Sequence, residues 1–222
     1  MVAVSVAGAT LARGAAGISV SSLVSIDDLN GLACTSGADV GTVVVSTAAA
    51  GEVTFKCKFT GSGPVLRINE VMTASPISAA SEFVELVNVG GARADLGGFR
   101  LVYRSATGTA EETLAAVPTG AFLDPGARYV FGGTTFWGTS NQTYNSGLAS
   151  AAGGVGLRNA SGQLVDSLGY GSATNIFVEG APAGSPAPGA SLSRLPDGGD
   201  TNYNAADFTP ISPPTPGALN HA

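Results

Sequence analysis

Histidine is almost absent from this 222-residue chain. The single one is His221, so the body of the sequence offers no imidazole for a Ser-His-Asp or Cys-His arrangement and no histidine to act as a general base. Cysteine is nearly as scarce. Cys34 and Cys57 are the two present, too few to complete a tetrahedral zinc site without more histidine. Charged residues make up 12% of the chain, with 10 basic against 16 acidic and a net charge of −6. The seven arginines after residue 64 stand singly among twelve acidic residues. Nucleic acids and anionic lipids are held by clustered Lys and Arg, so nucleic acid is excluded as a partner on this pattern. No stretch approaches 18 uninterrupted apolar residues, and no membrane insertion is expected. Neither a P-loop nor a Gly-x-Gly-x-x-Gly between strand and helix occurs, and no cofactor is implied.

What is present is small, turn-forming and β-branched. The chain holds 32 glycines and 12 prolines, and 44% of it is hydrophobic. Short runs of Val, Leu, Ile and Phe alternate with clusters of Gly, Ser, Pro and Asn, without a helical period. This reads as an all-β protein of successive antiparallel strands.

Two units are expected. Residues 1–63 form a small N-terminal β segment, with strands over 43–46 and 53–59. Residues 1–20 fit a signal peptide poorly, since no basic segment precedes the apolar run and Arg13 interrupts it; they suit the start of a fragment of a longer secreted protein. Cys34 and Cys57 flank a Gly- and Val-rich hairpin. Their pairing in one disulfide would stabilise this unit by about 3–4 kcal/mol in the chain-entropy model and imply an oxidising compartment. Two reduced, buried thiols are the alternative. Asp27, Asp28 and Asn30 before Gly31 read as a turn; their spacing lacks the every-second-residue rhythm of a calcium loop. Gly61, Ser62, Gly63 and Pro64 read as the linker.

From residue 64 to 220 the strands come quickly. Leu66, Ile68 and Met72 are expected on one side of the first, and Val84 and Leu86 on one side of the second, with Phe83 and Val87 opposite. Apolar residues on both sides suit the interior of a sandwich. Residues 96–98 turn into a third strand over 99–103, and Leu123, Asp124, Pro125 and Gly126 turn into a fourth. Residues 132–154 read as a long loop or two very short strands. The clearest hairpin joins 155–158 to 164–170 across Asn159, Ala160, Ser161 and Gly162.

The pieces INE (68–70), EFVELVNVG (82–90), DLGGFRLVY (95–103), LDPGARYVF (123–131), GVGLRNASGQLVDSLGYG (154–171), SLSRLPDGGDTNYNAADF (191–208) and TPGALN (215–220) follow one another in order. Together they resemble a bacterial lamin tail domain. The resemblance implies an immunoglobulin-like β-sandwich, found as a non-catalytic module in secreted or cell-envelope proteins and often beside a nuclease or phosphatase domain. It supplies no catalytic residues. The segment before it resembles a short cysteine-paired stretch of secreted bacterial proteins, which implies no function.

Three groups of residues could carry chemistry. Glu70 and Glu85 are a carboxylate pair on adjacent strands. At a separation of about 5–9 Å such a pair hydrolyses glycosides; the structural alternative is that each accepts hydrogen bonds from loop amides, with Asn88 helping. Asp200, Asn202, Asn204 and Asp207, with Asp197 nearby, could coordinate calcium, although no glutamate closes the loop; Asx-turns explain the same residues. Phe136, Trp137 and Tyr144 could form an exposed stacking platform for a sugar ring, or anchor their loop on the sandwich. The sequence therefore points to a binding or positioning module of an extracellular protein whose partner is a protein or a polysaccharide. The alternatives are a structural accessory to a hydrolase domain outside this chain, and a Glu-based glycoside hydrolase.

Overall fold

The computed structural model describes residues 10–11, 33–36, 39–47, 53–59, 63–76, 78 and 80–221. Its chain falls into two compact units, one of residues 1–65 with 90–93 and one of residues 66–89 with 94–222. Gly61 and Ser62 of the expected linker, residues 1–9 and the turn at Asp27–Asn30 lie outside the described residues.

In the first unit, β1 (Thr10–Leu11), β2 (Ala33–Ser36), β3 (Asp39–Thr47) and β4 (Val53–Phe59) form a four-stranded antiparallel sheet in sequence order. Cys34 in β2 lies opposite Gly41 of β3, and Cys57 in β4 lies opposite Val43 of the same strand. With β3 between them, β2 and β4 stand about two strand spacings apart, or about 9–10 Å. A disulfide spans Cα atoms separated by less than about 7 Å. The register therefore gives no support to the expected bridge; the cysteine side chains lie outside what is described.

The second unit is an immunoglobulin-like β-sandwich. Its strands are β5 (Leu66–Met72), β6 (Phe83–Asn88), β7 (Ala94–Asp95), β8 (Arg100–Ser105), β9 (Glu112–Ala116), β10 (Phe122–Leu123), β11 (Arg128–Gly133), β12 (Gln142–Tyr144), β13 (Gly153–Arg158), β14 (Leu164–Tyr170), β15 (Ser191–Arg194) and β16 (Phe208–Ile211). A single helical turn, α1 (Asn204–Asp207), precedes β16. One sheet has six strands in the order β12-β11-β6-β5-β15-β16, and the other has four in the order β14-β13-β8-β9; β7 and β10 pair separately. The β13–β14 hairpin turns at Gly162, whose φ of 83° is a conformation glycine adopts without strain. Residues 142–144, read from sequence as loop or short strand, join β11 in parallel. No helix among the described residues is long and apolar enough to cross a membrane.

The apolar core lies between the sheets. Ile68, Val71, Val84, Leu86, Phe131 and Leu192 face Leu101, Val155, Leu157 and Leu168 in one cluster. Each such side chain contributes about 1.5–3 kcal/mol of burial. The expectation that Met72 shares a side with Leu66 and Ile68 is corrected. The β5–β6 ladder slips by one residue between Ile68 and Glu70, and a bulge of one extra residue inverts the alternation beyond it. Val71 thus joins the inter-sheet core, while Met72 packs with Phe83 and Val130 in a second cluster.

Candidate functional site

The same bulge aligns Glu70 with Glu85 across β5 and β6. Both are fully buried, on the face of the six-stranded sheet that turns away from the four-stranded one. Like charges directly opposite on a sheet repel, so each must be compensated. Glu70 accepts hydrogen bonds from the Ser191 hydroxyl at 2.5 Å, the Thr215 N–H at 2.8 Å and the Thr215 hydroxyl at 3.1 Å. Glu85 accepts from Asn69 Nδ2 at 2.9 Å and the Gly217 N–H at 2.6 Å, with Arg128 Nε 3.4 Å away. Burial pushes the Glu85 carboxyl up to about 7, against those hydrogen bonds and with the charge of Glu70 adding to the rise. The Asn88 Nδ2 donates to the Leu123 carbonyl at 2.9 Å. The carboxylates thus hold down the terminal stretch around Thr215 and Gly217. Asn220 completes the attachment through the carbonyls of Asn69 and Arg194 and the carboxylate of Asp197.

Deeper in the same unit, Arg194 ends β15 with no exposed surface. Its Nε donates to the Ile68 carbonyl at 2.9 Å and its Nη1 to the Gly199 carbonyl at 2.7 Å. Asp166 stands 3.2 Å from Nη2, while Asp207 and Asp200 stand 3.1 and 3.4 Å from Nη1. The Phe208 ring lies 4.3 Å from the guanidinium carbon, within cation–π range. Burial raises the Asp166 carboxyl, and the Arg194 charge opposes that rise.

The loop considered for calcium is built around this arginine. Asp207 accepts from the Thr201 N–H and hydroxyl and from the Tyr203 N–H. Burial works against its charge, yet these hydrogen bonds and Arg194 hold it below the ordinary carboxylate range. Asp200 accepts from the Asn202 N–H at 3.1 Å and pairs with Arg67 at 2.9 Å. Asn202 itself sits at φ 58°, in the left-handed region that Asn tolerates. Asn204 Oδ1 accepts the N–H groups of Gly169 and Glu179, both at 2.9 Å. The Asp200 carboxylate closes an Asx-turn, and the side-chain oxygens of Asn204 and Asp207 accept N–H groups of β14 and of the loops at Glu179, Thr201 and Tyr203. A different trio, Asp166, Glu179 and Asp200, brings carboxylate oxygens within 4.8 Å of one another, with Arg194 already paired to two of its members.

The three aromatic residues do not form one platform. Trp137 is 58% exposed, and its ring lies 5.4 Å from that of Phe136, which in turn packs 5.3 Å from Phe83. Tyr144 is corrected from an exposed position to a buried one, 3% exposed. Residues 142–144 pair with β11 as a strand, which draws its side chain into the core.

An open groove of about 500 Å³, missed in the sequence reading, runs between β10 and β11. Its lining includes Phe122, Asp124, Arg128, Tyr129 and Asn141. Phe122 is 48% exposed. Arg128 is fixed by its ion pair with Asp197, and the Tyr129 hydroxyl donates to Gln142 Oε1 at 3.3 Å. Asn141 accepts the Val130 N–H at 2.8 Å. The only sequence signal for this groove was the turn at residues 123–126.

A family model described as the lamin tail domain matches residues 60–172. The chain belongs to the lamin tail domain family. This family is of β-sandwich domains, often non-catalytic modules, in keeping with the two sheets described above. Among curated proteins no sequence matches it. In this lamin tail domain the sandwich extends beyond the matched stretch, because β15 and β16 complete the six-stranded sheet.

Proposed function

We propose that this lamin tail domain is a non-catalytic binding and positioning module of an extracellular or cell-envelope protein, and that its groove between β10 and β11 takes a polysaccharide. The observation that carries the reading is the combination of a half-exposed Phe122 with Asp124, Arg128 and Asn141 around an open concavity of about 500 Å³. An aromatic face beside a few fixed polar groups suits a sugar ring, which is apolar on its faces and hydroxylated at its edge. The exposed Trp137, held by Phe136, offers a second aromatic surface.

A polysaccharide pull-down or glycan array tests this, with Phe122→Ala and Trp137→Ala as variants of unchanged melting temperature. Retention of a polysaccharide class that Phe122→Ala weakens supports the groove. If no glycan is retained, or both variants bind like the parent, the glycan reading fails. A protein captured in its place through the same groove would move the partner to the other class considered.

The second reading, a structural accessory to a hydrolase domain outside this chain, is favoured by the use of the buried carboxylates. Glu70, Glu85, Asp166 and Asp207 each hold the fold together through several donors. The glycoside hydrolase reading is the weakest, because Glu70 and Glu85 are fully buried beneath Thr215 and Gly217 and no sugar reaches them. Detectable glycosidase activity that Glu70→Gln abolishes would revive it.

A further inference from the structure

We propose that the recess between Glu82, Tyr144 and Ser146 accepts a primary ammonium group, carried by a free alkyl amine or by a lysine side chain. The recess has a volume of about 150 Å³ and is lined by Glu82, Thr134, Tyr144, Asn145, Ser146 and Gly147, among others. A water molecule claims about 30 Å³ of the liquid, so the space suits a headgroup with two or three carbons. It lies apart from the groove beside Phe122 and does not depend on the polysaccharide reading.

The Tyr144 hydroxyl is buried and has no hydrogen-bond partner within the protein. Buried phenols nearly always have one. Its neighbours of the same kind do: the Tyr170 hydroxyl donates to the Ala149 carbonyl at 2.7 Å, and the Tyr103 hydroxyl accepts the Ala149 N–H at 3.2 Å. Glu82 is 2% exposed and receives the Leu148 N–H at 2.7 Å on Oε2. A carboxylate has about four lone-pair sites and a phenol oxygen two, whereas an ammonium brings three donors and no acceptor. The chemistry matches.

The sign of the charge matches as well. None of the lining residues is basic, and the hydroxyl of Ser146 donates to Glu112, which places a second carboxylate at the mouth. Burial pushes the Glu82 carboxyl up to about 7, with the Leu148 N–H opposing the rise. The titratable groups that face it are Tyr144 and Tyr170, both raised themselves by burial and by its charge. A bound cation favours the carboxylate, so affinity rises between about pH 6 and 8.

The test is a two-dimensional NMR titration of the full chain with n-propylammonium, with N-acetyl-lysine amide and with potassium chloride at matched ionic strength. Saturable shifts at the amides of Gly133, Asn145 and Gly147 with an amine support the proposal. A response to the lysine amide assigns the source to a protein side chain, and a response to n-propylammonium alone assigns it to a free amine. Tyr144→Phe keeps the ring and weakens binding about tenfold, the loss expected for one hydrogen bond to a charged group. Gly147→Val serves as a second variant, since its Cβ would sit 3.9 Å from Glu82 Oε2 without a clash and its side chain would fill the opening. Absence of saturation with either amine, an equal response to potassium, or unchanged binding in both variants would overturn the proposal.

Discussion

Both faces of the six-stranded sheet are buried, and they differ in chemistry: the outer one is polar around Glu70 and Glu85 and apolar at Met72, Phe83 and Val130. On the inner face, Ile68, Val71, Leu86, Phe131 and Leu192 pack against the second sheet through their apolar side chains, and Asp166 of that sheet adds one polar tie, to the Ile68 N–H and to Arg194. On the outer face, Glu70, Glu85, Ser191 and Ser193 are equally sealed from water, under the terminal stretch that contains Thr215 and Gly217. Apolar packing is non-directional and tolerates substitutions of similar volume. A buried polar face has to satisfy every donor and acceptor, and it specifies where each covering residue sits. The inner face supplies stability; the outer face fixes the position of a segment whose one large apolar side chain, Leu219, is 70% exposed.

Substitutions across these faces differ in kind and in size. The largest loss is expected from Arg194→Leu at the end of β15, which leaves Asp166 and Asp207 buried without their cation. About 3–5 kcal/mol is expected in urea denaturation. Leu192→Ala, two residues earlier and on the inner face, removes packing without stranding a charge, and about 2–4 kcal/mol is expected. On the outer face, Glu70→Gln keeps the shape and one acceptor oxygen but weakens the hydrogen bonds from Ser191 and Thr215, at a cost of about 1.5–3 kcal/mol. Glu85→Gln costs less than Glu70→Gln, because Glu85 accepts two hydrogen bonds, from Asn69 and Gly217, where Glu70 accepts three. An equal cost at both positions would break the distinction between them.

The pH dependence sharpens the same contrast. Glu82 and Glu85 rise from an ordinary 4.5 to about 7 on folding. Both therefore bind protons more tightly folded than unfolded. Their contribution is fully present below about pH 4.5 and is lost as pH rises through about 7. Asp207 and Glu111 are lowered, so their contribution is lost as pH falls through their folded values. The melting temperature should be higher near pH 5.5 than near pH 8 and should fall again in stronger acid. The smallest effect is expected at Trp137→Ala, an exposed site where less than about 0.5 kcal/mol is anticipated.

The inner face was largely legible in the sequence. Alternation placed Val84 and Leu86 together, and Gly126 and Gly162 marked turns whose positive φ the structure contains. The bulge near Asn69 was not legible, since one extra residue in a ladder leaves no compositional mark. For the same reason Met72 was assigned to the wrong side. Arg194 reads as one of seven singly placed arginines after residue 64; its carboxylate partner Asp166 lies 28 residues away and belongs to the other sheet. Tyr144 is buried because a parallel pairing with β11 captures it, and local pattern does not reveal parallel pairings. Glu70 and Glu85 were recognisable as a pair, but their donors, Thr215 and Gly217, are more than 130 residues distant.

The account rests on Glu70 and Glu85 forming a closed polar patch on the outer face that locks the segment around Thr215 and Gly217. Amide hydrogen exchange at Thr215 and Gly217 tests this directly, because their N–H groups end on Glu70 and Glu85. Exchange as slow as that of the inner-face amides of Val84 and Leu86 is expected, with opening only on global unfolding. Exchange at the rate of an exposed loop would contradict it and would leave the two carboxylates open to solvent.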